Sequence, residues 1–358
     1  MSRIRVLVAE DSLTVRRHFC GIVSADPELE LVGEAENGKL AIELCERLRP
    51  DVVSMDMVMP VMSGFSATEY IMAHRPTPIL VVSSSLNRGD VFKTYDALAA
   101  GAVDVLEKPT DAELRGCWEK KYCAALKLVS RIRVITRPRA TLERLGRAQI
   151  AARKAKGVSL PALRCSELVA IGASTGGPAA IVEILRALPE RFRLPILVVL
   201  HINAPFAASF ADWLDGQTNR RVSSALGGES LESLAGRVVL APPDRHMIVR
   251  DGRLAFSLDP PRHSCRPSVD TLFESIARSC GPTAVACQLT GMGSDGAAGL
   301  LEIREAGGLT IAQDEATSVI YGMPGAAVLL GAAERELPLD QIGPALAALA
   351  EKDAEIPV

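Results

Sequence analysis

The chain has 358 residues, 48% of them hydrophobic and 23% charged, and a net charge of −3. That length suits two domains, each able to bury its own core, and the near-neutral balance gives no general attraction to nucleic acid. No apolar run approaches the roughly 20 residues of a membrane span, and Met1-Ser2-Arg3-Ile4 leads directly into a strand where a signal peptide would have its apolar core, so a cytoplasmic protein is expected. The eight cysteines form no C-x-x-C pair and lie mostly in apolar stretches, as reduced core thiols do, so neither disulfides nor zinc ligands are expected.

Along the first 130 residues, strands alternate with helical stretches, the pattern of an open parallel α/β sheet. Ile4-Arg5-Val6-Leu7-Val8-Ala9 ends in Glu10-Asp11, and the apolar run at 51–55 ends in Asp56. The run at 78–82 ends in Ser83, and that at 102–106 leads to Lys108-Pro109. Ligands of such sheets bind beyond the carboxyl ends of the strands, so three carboxylates, a hydroxyl and an ammonium should converge at one edge. Crowded carboxylates repel unless a cation offsets them, and an all-oxygen site suits Mg²⁺. An aspartate in that setting can accept a phosphoryl group. Each residue alone has a plainer reading, Asp11 as a helix N-cap and Asp56 as the start of a turn.

These residues, with Met55-Asp56-Met57-x-Met59-Pro60-x-Met62-x-Gly64, make residues 3–125 resemble a response-regulator receiver domain, flavodoxin-like in fold. The resemblance implies that Asp56 is phosphorylated by a histidine kinase, that Glu10, Asp11 and Asp56 hold Mg²⁺, and that Ser83 and Lys108 read the phosphoryl group. One position departs: three before the lysine, where receivers commonly carry a switch aromatic, stands Val105.

Residues 131–164 hold ten Lys or Arg against the single acid Glu143, a net charge of +9. The plainer reading is a solvated interdomain linker, in part helical around residues 140–155; the sharper one is a docking surface for an acidic partner.

Beyond it a second α/β pattern begins. The apolar run from Leu168 stops in Gly172-Ala173-Ser174-Thr175-Gly176-Gly177-Pro178, a strand-to-helix turn in which glycines let backbone N–H groups face an oxyanion, although such turns also cradle phosphates. A helical stretch at 179–187 precedes a strand at 195–200 that ends in His201. A later strand at 284–289 runs into Thr290-Gly291-Met292-Gly293-Ser294-Asp295-Gly296. Serine, histidine and aspartate thus each sit at or just past a strand end. A serine hydroxyl needs a base, and the base needs a carboxylate to fix its tautomer; Ser174, His201 and Asp295 can fill those roles, with His201 Nε2 expected to face Ser174 Oγ. His246 and His263 are rivals: the chain order of α/β-hydrolases would pair Asp244 with one of them.

The serine turn, His201 with Pro205-Phe206, Ala241-Pro242-x-Asp244-x-His246-Met247, Arg266-Pro267-Ser268-Val269-Asp270, Leu289-Thr290-Gly291-Met292-Gly293-x-Asp295-Gly296 and Tyr321-Gly322-Met323-Pro324 together resemble the methylesterase domain of the chemotaxis response regulators that are protein-glutamate methylesterases. The resemblance implies hydrolysis of glutamate γ-methyl esters on the cytoplasmic helices of methyl-accepting chemoreceptors, with methanol released, and deamidation of specific glutamines. It implies Ser174 as nucleophile, His201 as base, Asp295 as the orienting acid and no cofactor in the esterase site. Backbone N–H groups of Thr175 and Met292 map onto the oxyanion hole, and Arg266 and Ser268 onto either a substrate groove or structural positions. Relatives often carry His-Arg-Pro-Ser where this chain has Cys265-Arg266-Pro267-Ser268. Ser318–Met323 reads as core, with lining of the site as its alternative.

The expected architecture is therefore two doubly wound parallel-sheet α/β domains, the second Rossmann-like: a receiver at 1–125, a basic linker at 126–164, a methylesterase domain at 165–350 and a tail at 351–358. By the same likeness the unphosphorylated receiver obstructs the Ser174 crevice and phosphorylation releases it. A monomer with no membrane insertion and no nucleic-acid partner is expected. Two other classes remain open at this point, a non-catalytic response regulator whose second domain only binds partners and a DNA-binding output, the latter without a helix-turn-helix pattern or interleaved aromatics.

Overall fold

A computed structural model of the chain describes residues 3–84, 88–109, 117–132, 134, 166–202 and 204–353. Residue 133 and residues 135–165, which include most of the basic stretch, its expected helix and Cys165, lie outside the described residues, as does the end of the expected tail at 354–358. The chain divides into two compact units, Met1–Lys154 and Ala155–Val358.

In the first unit, strands β1 (Ile4–Ala9), β2 (Leu29–Ala35), β3 (Val52–Met55), β4 (Ile79–Ser83) and β5 (Asp104–Glu107) alternate with helices α1 (Leu13–Ala25), α2 (Gly38–Leu48), α3 (Gly64–His74), α4 (Arg88–Ala99) and α5 (Cys117–Val129). The sheet runs β2-β1-β3-β4-β5, all parallel, so the strand order reverses between β1 and β3. Every residue of β3 and β4 is buried, which is why both read as continuous apolar runs without alternation. Helix α5 packs with Trp118, Tyr122, Leu126 and Val129 buried at one-turn spacing. It ends at Val129, so a boundary at residue 125 passes through it. Val105 is buried within β5.

In the second unit the sheet runs β14-β13-β12-β6-β7-β9-β8, also all parallel. The central strand is β6 (Leu168–Ala173), flanked by β7 (Ile196–Leu200) and β12 (Ala284–Gln288). Outside these lie β9 (Val238–Leu240) and β8 (Val222–Ser224) on one side, β13 (Leu309–Gln313) and β14 (Arg335–Leu337) on the other. The chain leaves β6 toward β7 and returns on its far side as β12, which makes the end of β6 a topological switch point. Six helices accompany the sheet among the described residues: α6 (Gly177–Ala187), α7 (Ala204–Gln217), α8 (Val269–Cys280), α9 (Ala297–Glu305), α10 (Met323–Leu329) and α11 (Leu339–Asp353). An antiparallel hairpin, β10 (His246–Arg250) with β11 (Arg253–Ser257), stands apart from the sheet and buries Met247, Val249 and Leu254 in the same core as Leu272, Phe273 and Ile276 of α8. This hairpin and the strands β2, β8, β9, β13 and β14 were not among the expected elements; they are short or carry no chemistry at their ends. Among the described residues no helix is long and apolar enough to cross a membrane.

Candidate active site

In the first unit, register builds the acidic crevice. Ala9 of β1 pairs with Met55 of β3, and Asp56 N donates to Ala9 O at 2.9 Å, so Glu10 and Asp56 emerge side by side from adjacent strand ends. Ser83 ends β4, and its carbonyl accepts from Lys108 N at 3.0 Å, which delivers the lysine to the same edge. Lys108 Nζ lies 2.9 Å from Glu10 Oε2 and 3.1 Å from Asp56 Oδ1. Ligating oxygens of Glu10, Asp11 and Asp56 all lie within 4.8 Å of one another. Burial and the neighbouring Asp56 push the Glu10 carboxyl up to about 7, against the pull of Lys108. Burial likewise raises Asp56, with Lys108 opposing it. Burial disfavours the Lys108 charge, but Asp56 and Glu10 outweigh that and raise its pKa. Three carboxylates against one ammonium leave an excess of negative charge in an oxygen-only pocket, a donor set that fits Mg²⁺. Arg16, which the sequence reading passed over, steadies this turn by donating to the carbonyls of Glu10 and Asp11 at 2.8 and 3.2 Å. Its place three residues into an amphipathic helix gives no local sign of that role.

In the second unit, β6 stops at Ala173 because the chain must turn: Gly176 takes φ +79°, and a Cβ there would come within 2.6 Å of Val319. Ser174 sits at this bend, its N–H donating to Thr290 O at 3.0 Å across to the end of β12. On the other flank Ala173 pairs with Leu200, and His201 N donates to Ala173 O at 3.0 Å. The predicted serine and histidine are therefore brought to adjoining strand ends, and the predicted aspartate reaches the histidine from the loop beyond β12.

His201 Nε2 donates to Asp295 Oδ2 at 2.9 Å. This corrects the expectation that Nε2 faces Ser174: the Asp295 carboxylate occupies the Nε2 side of the ring, and Nδ1 faces Cys265 Sγ at 3.7 Å. The Asp295 carboxylate is pinned where it lies by the N-terminus of α8. Its Oδ1 accepts from Ser268 Oγ at 2.7 Å and Asp270 N at 3.0 Å, and its Oδ2 from Val269 N at 2.7 Å. Burial raises the Asp295 pKa, but the bond from His201 and these three donors outweigh it and hold the carboxyl below its usual range. Burial works against the His201 imidazolium, yet its bonds to Asp295 and Cys265 prevail and push its pKa up to about 9. Among the described residues Ser174 Oγ has no hydrogen-bond partner, and neither do the N–H groups of Thr175 and Met292. Thr175 C=O is instead held by Thr290 Oγ1 at 3.0 Å.

The rival histidines have other places. His246, which opens β10, is buried: its Nδ1 accepts from Ser268 N at 3.1 Å and its Nε2 donates to Pro260 O at 3.3 Å, so it fixes the segment that precedes α8. His263 pairs with Asp270 at 3.0 Å. Ser268 is fully buried and caps α8, its Oγ accepting from Thr271 N at 3.3 Å, which leaves it no surface for a substrate. Its cap was legible as a serine placed before the one-sided apolar pattern Val269, Leu272, Phe273, Ile276. Arg266 Nη1 lies 3.4 Å from Asp259 O and 3.5 Å from Leu258 O. Ser318–Met323 backs onto the serine turn, with Val319 against Gly176 and Ile320 bonded to Gly291 and Thr290. Cysteines 20, 45, 280 and 287 are buried as expected, whereas Cys117 is exposed. Cys265 is not a core residue: it is half-buried, with Sγ 3.7 Å from His201 Nδ1.

A receiver-type acidic crevice in one sheet and a Ser-His-Asp crevice at the switch point of the other define the class, a response regulator that carries its own enzymatic output domain. The comparisons agree: the response regulator receiver domain family matches residues 6–115, and the CheB methylesterase family matches residues 169–346. Full-length relatives are similar throughout. The protein-glutamate methylesterase/protein-glutamine glutaminase 2 of Anaeromyxobacter dehalogenans is 43% identical over 96% of each chain. The protein-glutamate methylesterase/protein-glutamine glutaminase of Nitrosospira multiformis is 39% identical over 98% of each, and the Myxococcus xanthus protein-glutamate methylesterase/protein-glutamine glutaminase 4 is 44% identical over 91% of each. The chain belongs to the CheB methylesterase family, as an enzyme with an N-terminal receiver domain.

Proposed function

We propose that this chain hydrolyses glutamate γ-methyl esters on chemoreceptor cytoplasmic helices, and deamidates specific glutamines there, with its turnover set by phosphorylation of Asp56 by a histidine kinase. The observation that carries the hydrolytic reading is the 2.9 Å bond from His201 Nε2 to Asp295, made where the strand end bearing His201 adjoins the one bearing Ser174. Asp295 holds the Nε2 proton, so in the neutral ring, the form that acts as base once the imidazolium gives up its second proton, the lone pair is on Nδ1. Ser174 Oγ attacks the ester carbonyl and passes its proton to Nδ1. His201 returns that proton to the departing methoxide, methanol leaves, and water hydrolyses the acyl-enzyme by the same route. The free N–H groups of Thr175 and Met292 are the donors available to the oxyanion; losing one such donor typically costs about 10²–10³ in rate. Apo sites of this type are commonly loose and tighten around substrate, in keeping with the unpaired Ser174 hydroxyl.

In the receiver, Asp56 is the phosphoryl acceptor, Lys108 holds the transferred group, and Ser83 at the end of β4 reads it. Mg²⁺ held by Glu10, Asp11 and Asp56 would supply the positive charge that phosphoryl transfer needs there. We assign the boundaries as read from the sequence, with the receiver's last helix extended to Val129. The test is methanol release from a methylated receptor fragment. Ser174→Ala is expected to lower it by about 10⁴-fold or more; release that survives the substitution removes the triad assignment.

A further inference from the structure

Cys265 and His201 are 64 positions apart in sequence, yet Cys265 Sγ lies 3.7 Å from His201 Nδ1. His201 spends its Nε2 proton on Asp295, which leaves Nδ1 as the ring nitrogen that faces the sulfur. A tetrahedral zinc ion with Zn–S of about 2.3 Å and Zn–N of about 2.0–2.1 Å separates its sulfur and nitrogen ligands by about 3.6 Å. The pair is thus spaced to share one ion with little movement of either side chain. The carboxylate behind the ring completes the picture, because zinc-bound imidazoles are commonly oriented by a carboxylate on their other nitrogen, here Asp295. An Asp295 oxygen also lies within 4.8 Å of the sulfur.

We propose that the esterase crevice is a binding site for one thiophilic divalent cation, Zn²⁺, held between Cys265 Sγ and His201 Nδ1, and that its occupancy shuts the esterase reversibly. On binding, the thiol of Cys265 and the imidazolium of His201 each lose one proton to solvent, Sγ and Nδ1 donate the lone pairs so freed to the ion, and water fills the remaining positions with no change of oxidation state. The inhibitory half rests on Nδ1 being the esterase base; the binding half does not. The receiver's acidic crevice offers oxygen only, so it lacks the sulfur that marks this site.

The test uses the full chain, freed of metal with a chelator and titrated with cobalt chloride as the spectroscopic probe and with zinc chloride. Expected are a thiolate-to-cobalt charge-transfer band that saturates at one equivalent and is displaced by zinc, and loss of that band in both Cys265→Ala and Cys265→Ser. The zinc concentration that halves methanol release should rise by about tenfold or more in these variants, each compared with its own metal-free rate. An unchanged band in both variants overturns the site. Zinc that binds through Cys265 while methanol release continues overturns the inhibition alone. A Cys265-dependent band in a chain that releases no methanol even without metal upholds the site and removes the esterase reading instead.

Discussion

Ser268 shows how much one hydroxyl can organise: it caps α8 through Thr271 N and donates to Asp295 Oδ1 at 2.7 Å. Ser268→Ala should cost about 1 kcal/mol of stability through the lost cap. It should also lower turnover by about 10–100-fold with little change in KM, because Asp295 loses a donor that aims it at His201. Urea denaturation and steady-state kinetics separate the two effects, and Ser268→Thr should restore both. A second residue-scale prediction concerns Asp104, half-buried at the start of β5, whose carboxyl burial pushes up to about 6 although it accepts from Val105 N at 2.8 Å. An unfolded aspartate titrates near 3.9, so the unfolded chain ionises first and the first unit loses stability as pH rises from about 4 through 6. Asp104→Asn keeps the acceptor and removes the charge. It should stabilise the first unit by on the order of 1–2 kcal/mol above pH 7, allowing for partial exposure, with no gain below about pH 4. Melting curves across that range check the sign.

At the scale of elements, both sites are made by parallel register. Pairing Ala9 with Met55, and Ala173 with Leu200, delivers the chemistry of neighbouring strands to one edge. Close approach at those ends demands small residues. A Cβ on Gly291, just past β12, would come within 2.7 Å of Ser174 Cβ and 2.3 Å of Met323 Sδ. Gly291→Ala should therefore displace the serine, lowering kcat by about 10–100-fold while destabilising the second unit by about 1–3 kcal/mol. A variant that loses stability but keeps wild-type kcat would show that the glycine serves packing only. The strand ends themselves were legible, because buried parallel strands write continuous apolar runs and their terminal residues follow at once. The hairpin of β10 and β11 was not, since its two short strands are interrupted by Asp251-Gly252 and flanked by proline-rich turns.

For the whole molecule, the claim to test is that Asp56 governs an esterase carried elsewhere in the chain. With Mg²⁺ and a small acyl phosphate as donor, methanol release should rise by about tenfold, which corresponds to about 1.4 kcal/mol of differential stabilisation, far short of the roughly 5.5 kcal/mol of a complete switch. Asp56→Asn should abolish that response without lowering the basal rate. An equal response in the variant would place the phosphoryl effect at another residue. Val105, buried in β5 where receivers commonly carry an aromatic, leaves any such response without that side chain to relay it.

By itself the sequence determined that the chain carries two parallel α/β domains in succession, and the residues that follow β1, β3, β4, β5, β6 and β7, from Glu10, Asp11, Asp56 and Lys108 to Ser174 and His201, because these follow from local apolar runs and the turns that stop them. Tertiary structure alone decided that His246 bonds to Ser268 N and Pro260 O and His263 to Asp270, that Asp295 takes Nε2 of His201, that Ser268 donates to Asp295, and that Cys265 reaches His201 Nδ1. Those relations are hydrogen bonds between residues up to 94 positions apart, and only the packing of α8 against the sheet sets which donor meets which acceptor.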